Sequence, residues 1–220
     1  MDLNRKSWEQ RWGAERPGFH QSEVNTYLQE QTAWLLGGGD TGVYVPLCGA
    51  SIDLDWLSDR FKYVVGSELV GAAVNKFYSE RGQSPLVVDA GDYRRHTAGR
   101  VTILEGDALA LPANELGDIT AWYDRAAMIA LRPELRRQYV HRLRSILPHG
   151  ARGLLVTLSY DQTITAGPPW SVSHEEVVES YASWCDVEQV EVVQAERTPS
   201  KFGDTPVFET IYRLKRHAGD

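Results

Sequence analysis

Four short stretches of this 220-residue chain set small or acidic residues at the end of an apolar run. In Pro46-Leu47-Cys48-Gly49-Ala50-Ser51, the glycine lets the backbone approach a bound molecule, and the helix start after it offers free N–H groups. Glu68 follows about 20 residues later, the spacing at which an acid accepts both hydroxyls of a ribose. In Glu105-Gly106-Asp107, Asp107 suits the amino group of an adenine edge, or else a turn cap. Tyr123-Asp124-Arg125-Ala126-Ala127 adds a guanidinium. The first stretch is not GxGxxG, so a pyrophosphate clamp has no support. Glycine turn, ribose acid, adenine acid and a further strand end, in that order, are what an adenosyl ligand without phosphates demands.

The elements that must position these residues follow from hydrophobic periodicity. Apolar runs at 43–47, 63–66, 86–89, 101–104, 119–123 and 153–160 read as strands. Between them, Leu54, Leu57 and Phe61, then Val70, Val74, Phe77 and Tyr78, then Leu135, Tyr139, Leu143 and Leu147 recur at helical spacing. Ser51 suits the cap of the first of these helices, Gly82 the end of the second, and Pro133 with Gly150 the two ends of the third. The stretch between 89 and 101 reads as an inserted hairpin. Residues 1–40 read as two helices, the first from a Ser7/Gln10 capping box and the second begun at Ser22. Ser173 with Glu176 makes another capping box, followed by two alternating runs, 187–195 and 207–214, that look antiparallel. The expected architecture is therefore one α/β domain over residues 1–220. It is a Rossmann-like, mostly parallel sheet of the seven-stranded type, with helices on both faces and an antiparallel C-terminal hairpin. Such an edge hairpin suits class I methyltransferases, whereas nicotinamide-binding folds more often end in a parallel strand.

Composition narrows the function further. With 42% hydrophobic residues the chain can bury one sizeable core. A formal net charge of −7 without a compensating basic cluster opposes nucleic-acid binding. No apolar run reaches the roughly 18 residues of a membrane span, and the N-terminus carries no signal-peptide pattern, so a cytoplasmic protein is expected. Cys48 and Cys185 stand far apart, outside any CxxC or Cys/His cluster, so neither a disulfide framework nor a metal site is expected. A monomer is expected, since neither an apolar stripe nor a heptad seam stands out.

Trp8-Glu9-Gln10-Arg11-Trp12, Gly18-Phe19-His20-Gln21-Ser22-Glu23-Val24-Asn25, Val45-Pro46-Leu47-Cys48-Gly49, Gly66-Ser67-Glu68-Leu69, Tyr123-Asp124-Arg125-Ala126-Ala127 and Gly167-Pro168-Pro169-Trp170-Ser171-Val172 together resemble the bacterial thiopurine S-methyltransferases, over nearly the whole chain. That resemblance implies S-adenosyl-L-methionine as cofactor, S-adenosyl-L-homocysteine as product, no metal, and a small thiol or other chalcogen compound as acceptor. It places Trp12, Leu47, Glu68 and Arg125 at the cofactor, beside the Asp107 read above. It folds the segment 1–40 over the active site, puts Phe19 and His20 beside the acceptor, and matches Arg197 to a substrate-side arginine. Ala50 and Ser67 stand where bacterial members more often carry a lysine and an apolar residue.

No Ser-His-Asp arrangement accompanies these residues, and transfer of an activated methyl to a thiolate requires none. Arg125 and Arg197 are the expected catalytic groups, favouring an anionic thiol by their charge. Plainer readings stand beside these: Trp12 as helix packing, His20 as a structural histidine, Arg125 in an ion pair with Asp124 or Asp161, and Cys48 as a small packing residue. Other soft acceptors on the same scaffold, a nicotinamide-dependent oxidoreductase and a non-catalytic sensor are the competing functions.

Overall fold

The computed structural model describes residues 2–13, 20–195 and 200–219. Its centre is one nine-stranded sheet. The strands are β1 (Gly42–Val45), β2 (Tyr63–Glu68), β3 (Leu86–Ala90), β4 (Tyr93–Ala98), β5 (Val101–Glu105), β6 (Ala121–Asp124), β7 (Arg152–Ser159), β8 (Cys185–Gln194) and β9 (Phe208–Arg216). They lie in the order β3-β4-β5-β2-β1-β6-β7-β9-β8. The five strands β5, β2, β1, β6 and β7 are mutually parallel. From β1 the chain moves first to β2 on one side and later to β6 on the other, so a cleft opens between the carboxyl ends of β1 and β6.

Alternate residues of the central strands feed two separate cores. Val43, Val45 and Val64 pack with Leu28 and Leu35 of α2 (Thr26–Leu36), Leu54 and Leu57 of α3 (Asp53–Ser58), and Val74 and Phe77 of α4 (Gly71–Ser79). Tyr44 and Val65, one position along, pack on the other face with Met128 of α5 (Ala127–Ala130), Tyr139 and Leu143 of α6 (Pro133–Ile146), and Val177 and Tyr181 of α7 (His174–Tyr181). Strands buried on both faces explain why the sequence runs are continuously apolar rather than alternating. The C-terminal hairpin is antiparallel as expected: β9 pairs with β7 from Lys215↔Arg152 to Phe208↔Ser159, and β8 forms the edge beyond it.

The inserted segment extends the opposite edge. β3, β4 and β5 form an antiparallel meander whose links are Gly91-Asp92 and Gly99-Arg100. Both glycines have positive φ (64° and 57°), the requirement at the first position of a two-residue hairpin turn of type II′. The outermost strand leaves Leu86, Val87 and Val88 between 44% and 70% exposed, an apolar edge that the sequence reading did not anticipate.

Four helix starts differ from the sequence expectation. α1 (Asp2–Gly13) already contains Ser7, so Ser7 is an interior residue and not a cap. α2 is capped by Asn25 rather than Ser22: Asn25 Oδ1 accepts the Leu28 N–H at 3.2 Å. The Asn25 N–H is itself donated to Asp53 at 2.9 Å, which fixes the cap in place. At α7 the Ser173 hydroxyl accepts the Glu176 N–H as expected, but the Glu176 carboxylate does not reach back; it binds Arg136. Ser51 acts one residue early, accepting the Asp53 N–H at 3.2 Å. Among the described residues no helix is long and apolar enough to cross a membrane.

Candidate active site

A cavity of about 1290 Å³ opens at the carboxyl ends of the parallel strands. That exceeds the ~300–1,000 Å³ of a typical single-ligand pocket and leaves room for a nucleoside and a second reactant. Trp12, His20, Leu47, Glu68, Asp107 and Arg125 all line it, so every described residue proposed from the sequence for the site meets in one place. Phe19 and Arg197 lie outside the described residues.

The first wall is the turn after β1. Leu47 takes a left-handed conformation (φ 47°), which for a non-glycine residue costs about 1–2 kcal/mol. The Cys48 N–H to Ser67 carbonyl bond at 3.0 Å holds it there. Gly49 also has positive φ (55°), and a Cβ at that position would sit 2.7 Å from the Trp12 ring. The indole of α1 therefore lies directly on the glycine turn, which explains why the tryptophan is 8% exposed although its helix is largely polar.

Glu68 ends β2 and is 7% exposed. One carboxylate oxygen accepts the Gly49 N–H and the other the Val70 N–H, both at 2.9 Å. Burial nevertheless outweighs these bonds and raises its pKa from the ordinary 4.5 to about 7. Each oxygen keeps a lone pair beyond its backbone bond, so the group can still accept two hydroxyls. On the next strand, Gly106 packs so tightly on Tyr93 that a Cβ would meet the ring at 2.3 Å, and the Tyr93 hydroxyl donates to the Asp107 carbonyl. The inserted β4 thus buttresses the Asp107 turn. One Asp107 oxygen accepts the Leu109 N–H at 2.9 Å.

Arg125 pairs with neither Asp124 nor Asp161. Asp124 is wholly buried and accepts the Ala127 N–H at 2.8 Å and the Tyr139 hydroxyl at 2.6 Å. Asp161 accepts from Thr163. The Arg125 partner is Asp53, at 3.4 Å, a buried acid that also accepts the Asn25 N–H and the Tyr123 hydroxyl. Asp53 went unassigned in the sequence because an acid in the first turn of a helix ordinarily faces water and favours the helix dipole.

His20 sits edge-on to Trp12, with centroids 6.3 Å apart, and burial pulls its pKa below the ordinary 6.5. It is a neutral imidazole at pH 7. Cys48 is buried, with its thiol pushed well up by burial and by Glu68, and so has no nucleophilic role. Among the described residues no group of three or more His, Cys, Asp or Glu could hold a metal.

A second unforeseen residue is Arg136, 2% exposed on the apolar face of α6. It donates to the Met128, Leu131 and Ser171 carbonyls and grips Glu176 with two bonds of 2.7 and 2.8 Å. The signal was present: position 136 falls three, four and seven residues before Tyr139, Val140 and Leu143, on the core stripe.

The thiopurine S-methyltransferase family model matches residues 3–217. The chain belongs to that family. Thiopurine S-methyltransferases of Pseudomonas putida (strain GB-1) and Pseudomonas fluorescens (strain SBW25) are 41% and 42% identical over 212 residues, which is 95% of this chain and 98% and 97% of those proteins. Among solved structures, the N-methyltransferase NodS of Bradyrhizobium japonicum WM9 in complex with S-adenosyl-L-homocysteine superposes with a TM-score of 0.65 at 13% identity, covering 97% of this chain and 98% of NodS. Magnesium protoporphyrin IX methyltransferase from Synechocystis PCC 6803 gives 0.66 at 12% identity and covers 97% of both chains. At those identities the likeness is one of fold, and the fold is that of class I methyltransferases. Membership of the thiopurine S-methyltransferase family makes this chain an S-adenosylmethionine-dependent methyltransferase acting on a small molecule. The site suits that cofactor on its own evidence: a buried acid with two acceptor positions left, a turn that admits no side chain, and an indole lying on that turn.

Proposed function

We propose that the chain transfers the methyl group of S-adenosylmethionine to the sulfur of a small aromatic or heterocyclic thiol. The observation that carries this reading is that Arg125 lines the same cavity as Glu68 and Trp12, beside apolar surface from Phe202, Val207 and Pro169. Glu68 would hold the ribose hydroxyls, Asp107 the adenine amino group, and Leu47 with Trp12 the apolar faces. Bound there, the cofactor supplies a methyl carbon already made electrophilic by its sulfonium.

The protein's own task is then alignment, exclusion of water and control of the acceptor's charge. The Arg125 guanidinium favours the thiolate over the thiol, and the thiol proton passes to solvent. Held by Glu68, Asp107, Leu47 and Trp12, S-adenosylmethionine would supply its methyl group to that thiolate, with a thioether and S-adenosylhomocysteine as the products. His20, uncharged and against Trp12, shapes the acceptor side without competing for the anion. A soft nucleophile of this kind needs no strong base, which agrees with a cavity lacking a Ser-His-Asp set among the described residues.

The test is an acceptor panel with methyl-labelled S-adenosylmethionine, containing aromatic thiols, thiocyanate, iodide, selenite and tellurite. Label recovered as an aryl methyl thioether supports the reading. Label transferred only to the inorganic acceptors refutes it.

A further inference from the structure

α1 turns four side chains, Arg5, Trp8, Arg11 and Trp12, into the cavity, and Lys201 joins them beside Phe202. The indole of Trp12 belongs to the cofactor side described above; the three cations do not. Arg11 stacks its guanidinium over Trp8 at 5.4 Å, and Arg5 has no acidic partner among the described residues. Lys201 Nζ donates to the Pro168 carbonyl at 2.7 Å, which leaves two of its three N–H donors for another acceptor. Arg11 and Lys201 line the same cavity, and burial first and the Arg11 charge second disfavour the lysine's protonated form.

Acidic lining residues do not neutralise this wall. Glu68 and Asp107 belong to the nucleoside end, and Glu134 stands beside Arg132 at the start of α6. Glu209 also lines the cavity; its carboxylate accepts the Tyr27 hydroxyl at 2.9 Å and keeps its charge, so one acid stands against the three cations. A chain of net charge −7 thus gathers three cations around an aromatic, apolar patch that includes the buried Phe202, itself edge-on to Tyr160 at 4.8 Å. Local charge of one sign in a cleft focuses the field on ligands of the opposite sign.

We infer that Arg5, Arg11 and Lys201 form a subsite for a second anionic group on the acceptor, so that the preferred acceptor is a flat ring bearing a carboxylate as well as the sulfur. This rests on the thiol-methylation reading and adds the acceptor's charge class to it. Arg125 serves the sulfur; the α1 wall serves the carboxylate. The proposal separates acceptors of equal size by charge alone.

Calorimetry in the presence of S-adenosylhomocysteine, with 4-mercaptobenzoate and 4-methylbenzenethiol at a pH where both thiols are ionised, tests it without requiring turnover. The wild-type protein is expected to bind the carboxylate compound at least tenfold more tightly. Lys201→Met and Arg11→Met should each cut that preference at least threefold, and Lys201→Arg should keep it. Lys201 is solvent-exposed, so its replacement leaves the fold intact. Equal affinity of the wild-type protein for the two compounds overturns the subsite, as does a preference that survives both Met variants. Turnover measured in parallel keeps the two readings apart. Preferential binding of the carboxylate without methylation of either compound sinks the thiol reading and not the subsite; methylation of both without preference does the reverse.

Discussion

Arg125 Nε lies 3.4 Å from Asp53 Oδ2, and Asp53 is 1% exposed. The guanidinium that faces the cavity is thus held from behind by a buried carboxylate at the start of α3, which also receives donors from Asn25 and Tyr123. One acid ties the cap of α2, the strand β6 and the site arginine together. Asp53→Asn keeps the volume and removes the charge. It should raise the acceptor KM several-fold while changing S-adenosylhomocysteine affinity little. Asp53→Ala, which strands three donors, should cost about 2–4 kcal/mol in denaturant unfolding. Arg125→Ala should raise the acceptor KM at neutral pH, with recovery at higher pH where the thiol ionises unaided. An unchanged pH profile would remove Arg125 from that role.

The Gly49 turn separates strain from crowding. Gly49→Ala adds the left-handed penalty of roughly 1–2 kcal/mol and also drives a methyl into the Trp12 ring. Gly82→Ala adds only the penalty, because Gly82 has φ 61° and open space around its Cβ position. Both variants should melt earlier than the wild type. Only Gly49→Ala should weaken S-adenosylhomocysteine binding, by tenfold or more, and alter the tryptophan fluorescence. Calorimetry on the pair decides between them.

Arg136 ties α6 to α5 and the residue after it, which carry Ile129 and Leu131 into the cavity, and to α7 through Glu176. Arg136→Met should cost about 3 kcal/mol, since it leaves buried carbonyls without donors. Glu176→Gln should cost much less, because that carboxylate is about a third exposed and water can solvate it. Urea unfolding of the two variants and the double variant gives the coupling between them.

The central sheet was legible because its strands are buried on both faces and so read as unbroken apolar runs, with periodic helices after β1, β2 and β6. The ends of those runs also pointed to Glu68, Asp107 and Arg125, since a strand terminus is where polar residues interrupt such a run. Asp53 and Arg136 were less accessible. Their roles depend on partners 28 to 72 positions away in sequence for Asp53 and up to 40 for Arg136, and local spacing carries no record of those contacts. The cap of α2 was misplaced for the same reason: Ser22 and Asn25 have similar local chemistry, and the distant Asp53 selects Asn25. Ser67 is polar yet fully buried, and its hydroxyl meets that of Tyr44 at 2.8 Å inside the sheet, a partner 23 positions away.

Glu68 carries the account, and its ionisation gives the sharpest reading. In the free protein it keeps its proton up to about pH 7, against 4.5 in an unfolded chain, and Asp124 behaves likewise up to about 6. Both groups therefore favour the folded state most fully below pH 4, and that contribution is lost as the pH rises through 6 and 7. On the proposed placement the ionised carboxylate accepts the two ribose hydroxyls, so binding of the nucleoside should release a proton below pH 7.

Calorimetric titration with S-adenosylhomocysteine from pH 5.5 to 8, on the wild type and on Glu68→Gln, measures this directly. Affinity of the wild type should tighten by up to about tenfold per pH unit below 7 and level off above it, with proton release seen as a dependence of the heat on the buffer. Glu68→Gln should bind at least a hundredfold more weakly at pH 8 and show no such slope. A variant that binds as tightly as the wild type at pH 8 would contradict the placement of the nucleoside at this carboxylate.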